Sequence, residues 1–170
     1  MSYHRKALQL EYLTVGYNIF EAIASLIAGK MANSIALIAF GLDSIVESLS
    51  ALVLIWRLKK HGSLPEKEEE RIENRASKMV GATFFILGFY VCIESILTII
   101  HMEKPASSLP GIVIALLSLI IMPLLARAKY KLGMSMKLES LVADSKETLV
   151  CSFLSASLLL GLLMNRLFGF

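Results

Sequence analysis

Asp43 and Glu47 stand four residues apart inside the apolar stretch Ile35–Trp56, and Asp144, Glu147 and Cys151 stand inside another, Leu138–Leu163. Residues four apart stack on one face of a helix. Carboxylates and a thiol on one face supply oxygen and sulfur donors for a divalent ion, and the same groups can carry protons. Either stretch is long enough to cross a bilayer, which takes about 20 mostly apolar residues. An acidic side chain at the centre of a membrane helix costs roughly 2.5–3.5 kcal/mol on insertion scales and marks a functional site by default.

The elements that must position these groups follow from composition. Of 170 residues, 56% are hydrophobic and only 18% charged, against a soluble norm of about 25% charged. The fold class expected is all-α, a polytopic transmembrane helix bundle forming a single domain. Five spans are predicted at about Leu8–Ala28, Asn33–Leu58, Ser77–Ile100, Gly111–Arg127 and Met136–Leu167. Residues 59–76 and 128–135 are expected as cytoplasmic loops. The second half of the first loop, dense in Glu, Lys and Arg, reads as the third helix extended into water. Pro105–Pro110 is a breaker, and Pro123 is expected to kink the fourth helix. The three histidines, His4, His61 and His101, fall at or beyond helix ends and read as plain surface. The N-terminus lacks a signal peptide's short apolar region and cleavage site, so it reads as a retained first helix. Cys92 and Cys151 both lie in apolar runs, which argues against a disulfide framework. No basic cluster is interleaved with aromatics, so no nucleic-acid partner is expected.

Lys and Arg mark the cytoplasmic side. They gather in the N-terminal tail, in the loop after the second span, and after the fourth span at Arg127, Lys129, Lys131 and Lys137, whereas the other two loops hold Lys30 and Lys104. The N-terminus is therefore expected inside. The chain reads as an integral protein of a prokaryotic plasma membrane.

Three helices carry a polar stripe at the spacing of one face. They are Glu11, Thr14, Asn18, Glu21 and Ser25; then Asp43, Glu47 and Ser50; then Ser140, Asp144, Glu147, Cys151 and Ser155. At 1.5 Å per residue, Asp43 lies about ten residues from one helix end, and Glu147 and Cys151 roughly ten to fifteen from the opposite one. Asp43, Glu47, Glu147 and Cys151 are thus expected at one depth as ligands to one ion. The thiolate favours Zn²⁺, Cd²⁺, Co²⁺ or Fe²⁺, and carboxylates alone would lean to Mn²⁺ or Mg²⁺. Ligands must give up their protons to bind a metal, so metal and protons exchange. Asp144, Glu21, Asn18 and Glu11 are candidates for the ion path or for proton coupling. Asp144 could also pair with Lys146, and Glu94 reads as an interhelical contact.

The stretch Asn33-Ser-Ile-Ala-Leu…Asp43-Ser-Ile-Val-Glu47 resembles the second membrane helix of cation diffusion facilitators. Leu141-Val-Ala-Asp144-Ser-Lys-Glu147-Thr-Leu-Val-Cys151 resembles their fifth. The resemblance covers nearly the whole chain, in order and spacing. It implies proton-coupled export of Zn²⁺ or a related ion from the cytoplasm by a homodimer working through alternating access. It also implies an inner bundle of the first, second, fourth and fifth helices with the third peripheral. Carried over by position, Asp43 and Glu47 match the second-helix ligands, and Glu147 and Cys151 the fifth-helix ones. Glu147 stands where the family has His or Asp, and Cys151 where it has Asp. The family's sixth helix and cytoplasmic domain have no counterpart before Phe170. The segment Asn165–Phe170 reads as a turn about to start another span, so either a truncated chain or a short relative completed by dimerisation is expected.

Two rivals come from other classes. A non-transporting membrane protein with a structural or sensing metal site would bind metal without flux. An intramembrane enzyme using paired carboxylates would need a second Gly-Asp motif, which the fifth helix lacks, so no enzymatic activity is expected.

Overall fold

Polar residues that recur at helical spacing turn inward in this molecule, and the apolar ones turn out. The structure is a computed structural model in which residues 3–60, 65–101 and 108–168 are described. Five helices follow one another: α1 Tyr3–Ala32, α2 Ile35–Lys59, α3 Glu66–His101, α4 Leu109–Met136 and α5 Glu139–Phe168. No strand occurs among the described residues. Among the described residues, four helices are long and apolar enough to cross a membrane: α1, α2, α4 and the Glu139–Met164 part of α5. His61, the side chains of Glu94 and His101, and the Pro105 part of the predicted breaker lie outside the described residues.

One boundary differs from the sequence reading in a way that matters. The α4 helix continues through Pro123 to Met136, so residues 128–135 are helical rather than a loop. Lys, Arg and Ala are strong helix formers, and their charge says nothing against a helix. The stop comes only at Lys137, which adopts the left-handed conformation (φ 53°). The second half of the predicted 59–76 loop does belong to α3, as its helical charge spacing implies.

α1 packs on α2, α4 on α5, α1 on α4, and α2 on α5, while α3 lies against α2 and α5. The inner bundle is therefore α1, α2, α4 and α5, with α3 at its side. All five residues of the α1 stripe are buried, as are Asp43, Glu47 and Ser50 on α2 and all five of the α5 stripe. Phe20, Ile27, Leu124, Phe153 and Leu160 face outward. In water that arrangement would expose a large apolar surface. In hydrocarbon, polar side chains are the groups that must find partners inside the bundle. Two apolar clusters close the ends. One gathers Ala28, Leu37, Phe40, Ile112, Ala115 and Leu162. The other gathers Ala7, Leu54, Leu58, Val80, Leu138 and Leu141 at the end that carries the N-terminus.

The α1–α2 and α4–α5 hairpins are built alike and point in opposite directions. In each, a left-handed residue (Asn33, φ 48°; Lys137, φ 53°) ends the first helix. The next residue then donates its N–H to a glycine carbonyl, Ser34 to Gly29 at 2.9 Å and Leu138 to Gly133 at 3.0 Å. A Cβ on either glycine would sit 2.8 Å from a side-chain carbon of the second helix, Ile38 or Val142. The missing side chain lets the two helices start in close contact and sets the level of Asp43 on α2 and Asp144 on α5.

Candidate metal centre

Each buried acid of the bundle has a different company. Asp43 and Glu47 project from α2 towards α5, where the Cys151 thiol lies against both carboxyls. Asp43 Oδ1 and both oxygens of Glu47 have no hydrogen-bond partner among the described residues. Thr148 and Cys151 approach Glu47 without reaching hydrogen-bond geometry. Glu147, one turn before Cys151 on α5, leans away. Its Oε2 accepts a 3.4 Å bond from Thr83 on α3, and its Oε1 is buried without a partner.

The four residues read from the sequence are all buried. Among the described residues no group of three or more His, Cys, Asp and Glu side chains is arranged to hold an ion. Zinc needs its ligands at about 2.0–2.3 Å in a tetrahedron. A thiol touching two carboxyls in turn does not meet that requirement. Glu147 meets the Thr83 hydroxyl on α3 and also lies near Ser50 of α2.

Glu21 is a contrasting carboxylate on α1. Its Oε1 accepts from Tyr17 at 3.0 Å and its Oε2 from Ser44 of α2 at 2.8 Å. Nearby, Ser155 of α5 donates to Ser118 of α4 at 2.9 Å. Asn18, one turn before on α1, is buried with neither its amide nitrogen nor its oxygen bonded. An unpaired buried amide is expensive, so Asn18 marks polar space in the stripe rather than helix glue.

The largest departure is Lys129. Read as a cytoplasmic marker, it is instead fully buried among the described residues. Its ammonium pairs with Asp144 Oδ2, lies 3.4 Å from Glu11 Oε2 and donates to Thr148 Oγ1 at 3.2 Å. Asp144 thus pairs with Lys129 and not with Lys146, which is exposed. The other Asp144 oxygen accepts from Ser50 at 2.6 Å. A signal was present: Ser118, Met122, Leu125, Lys129 and Gly133 recur at spacings of three and four and share the buried face of α4. Ending the helix at Arg127 hid it.

A second missed residue sits in the charge run. Glu73 of α3 accepts from Arg57 of α2 at 2.6 Å, and its other oxygen accepts from both the backbone N–H and the hydroxyl of Ser140 at 2.8 Å. A carboxylate at the first N–H groups of a helix satisfies donors that lack a partner and complements the helix dipole. Glu73 therefore ties α2, α3 and the start of α5 together, and is no part of a solvated face.

The sequence profile described as "Cation efflux transmembrane domain" matches residues 12–170. Transmembrane protein 163 of Xenopus laevis is 24% identical over 160 residues. The match takes in 94% of this chain and 56% of that relative, so the chain spans little more than half of the relative's length. No solved structure matches the chain.

Proposed function

The chain belongs to the cation efflux family, and we propose that it carries a divalent metal ion, Zn²⁺ or a close relative, across the membrane in exchange for protons. The ion would be held by Asp43, Glu47, Cys151 and Glu147. The observation that carries this reading is the set of buried carboxylate oxygens without hydrogen-bond partners among the described residues, on Asp43 and Glu47 against the Cys151 thiol and on Glu147 one turn before it. Buried polar groups without partners are rare in folded proteins and cost free energy. A group of them on facing helices fits a ligand that supplies the missing interactions.

The steps follow from charge. Burial penalises every unpaired carboxylate in its ionised form, so a proton and a metal ion compete for the same oxygens. An arriving ion draws Glu147 off Thr83, closes the fourth position and releases protons. Departure of the ion on the other side returns them. The apolar clusters at the two ends act as the closures of an alternating-access cycle, opened one at a time. A homodimer, a cytoplasmic N-terminus and the absence of any chemical conversion of the substrate complete this reading. The basic residues at the N-terminal end support the orientation.

Metal uptake into proteoliposomes under an imposed pH gradient tests it. Wild type moves Zn²⁺ or Cd²⁺, and Asp43→Asn does not. Stoichiometric metal binding with no flux would replace the carrier reading with a structural or sensing site.

A further inference from the structure

Lys129 is the one buried side chain near the site whose charge is opposite to that of an acidic cluster among the described residues, and it belongs to no ligand set. An ammonium has three N–H donors. Here it donates to two acceptors on α5, Asp144 and Thr148, and lies 3.4 Å from Glu11 Oε2 of α1 as an ion pair without hydrogen-bond geometry. Ser50 of α2 holds the far oxygen of Asp144 at 2.6 Å. The cluster is sealed, with Lys129, Glu11 and Asp144 all fully buried. One ammonium faces two carboxyl groups, so the cluster holds more acidic oxygens than the ammonium bonds. Both oxygens of Glu11 are buried with no hydrogen-bond partner among the described residues.

We propose that Glu11 and Asp144 form a second cation site, of oxygen donors only, whose resident occupant is the chain's own Lys129 ammonium. The hydroxyls of Thr148 and Ser50 complete a set suited to a hard divalent ion such as Mn²⁺ or Mg²⁺. That differs from the neighbouring cluster, where Cys151 favours softer ions. Glu47 lies within electrostatic reach of the same ammonium. The tethered cation thus stands between the Asp43–Cys151 cluster and the end closed by Leu54, Leu58, Leu138 and Leu141. Any ion entering from that end must displace the ammonium or pass it. This last step rests on the proposed carrier function, whereas the site itself does not.

The test uses the full chain in detergent with Co²⁺ as the probe. Cobalt binds oxygen and thiolate ligands alike, and only a bound thiolate produces a charge-transfer band. Bound Co²⁺ per chain is measured by equilibrium dialysis. Wild type and Lys129→Arg, which keeps the tethered charge, bind one ion with the thiolate band. Lys129→Gln binds a second ion and leaves that band unchanged. Lys129→Gln/Asp144→Asn returns to a single ion. No additional ion in Lys129→Gln, or an additional ion that survives Asp144→Asn, overturns the proposal. Should Lys129→Gln fail to fold alone, Co²⁺ present throughout purification must rescue it, and unfolding with and without the metal overturns the proposal equally. A wild type without the thiolate band would sink the Cys151 site, yet the difference between Lys129→Gln and wild type would still decide the second one.

Discussion

The bundle holds two groups of buried acids, and their surroundings could hardly differ more. Asp144 is paired by an ammonium from its own chain, and Glu21 is held by two hydroxyls. Asp43 and Glu47, about a turn away along the stripe, keep oxygens that nothing in the described residues satisfies. The first group resembles ordinary buried electrostatics, in which burial is offset by a designed partner. The second resembles a ligand set whose partner comes from outside. Membrane depth alone does not separate them, since all lie in the same low dielectric. Company does.

Substitution can break that contrast. The largest effect is expected on flux: Asp43→Asn or Glu47→Gln should lower metal uptake by proteoliposomes by more than 100-fold. Neither should lower the melting temperature in detergent, because no partner is left stranded. Asp144→Asn should do the reverse to the fold. It strands a buried ammonium, and removing one member of a buried pair costs about 3–5 kcal/mol, read as a marked fall in the melting temperature. Glu73→Gln should cost about 3 kcal/mol on the same grounds, since Arg57 is buried and Ser140 loses its cap. A fully exposed charge run would show no loss there. Cys151→Asp should leave transport standing but shift preference from Cd²⁺ and Zn²⁺ towards Mn²⁺, measured by competition uptake. The smallest effect belongs to Glu21→Gln. The neutral amide still accepts from one hydroxyl, so about 1 kcal/mol is expected. A flux loss as large as that of Asp43→Asn would move Glu21 into the ligand group.

Much of this was legible before any coordinates. The α1 stripe Glu11, Thr14, Asn18, Glu21 and Ser25 is buried as its spacing requires, because a 3.6-residue helix allows only one inward face. The same holds for Asp43 with Glu47 and for Glu147 with Cys151. The inner bundle with α3 aside follows the family resemblance. Lys129 and Glu73 were misread for one reason. A basic residue after a hydrophobic span and an acid in a charge run are both usually wet, and that habit outweighed the buried face they continue. Lys129 is one step further along the register of Ser118 and Met122, a continuation that the expected end at Arg127 cut off.

By itself, the order of residues determined that the chain is helical, that it lives in a bilayer, and which side chains share a face, because these depend on local periodicity and on composition. Only the tertiary structure decided which acids have partners. Lys129 reaches Glu11 and Asp144 from sequence separations of 118 and 15 residues (129 less 11, and 144 less 129). Glu147 is drawn to Thr83 of a helix outside the inner bundle. Pairing is a property of where helices cross, and two close hairpin turns set those crossings. No spacing within one helix encodes it.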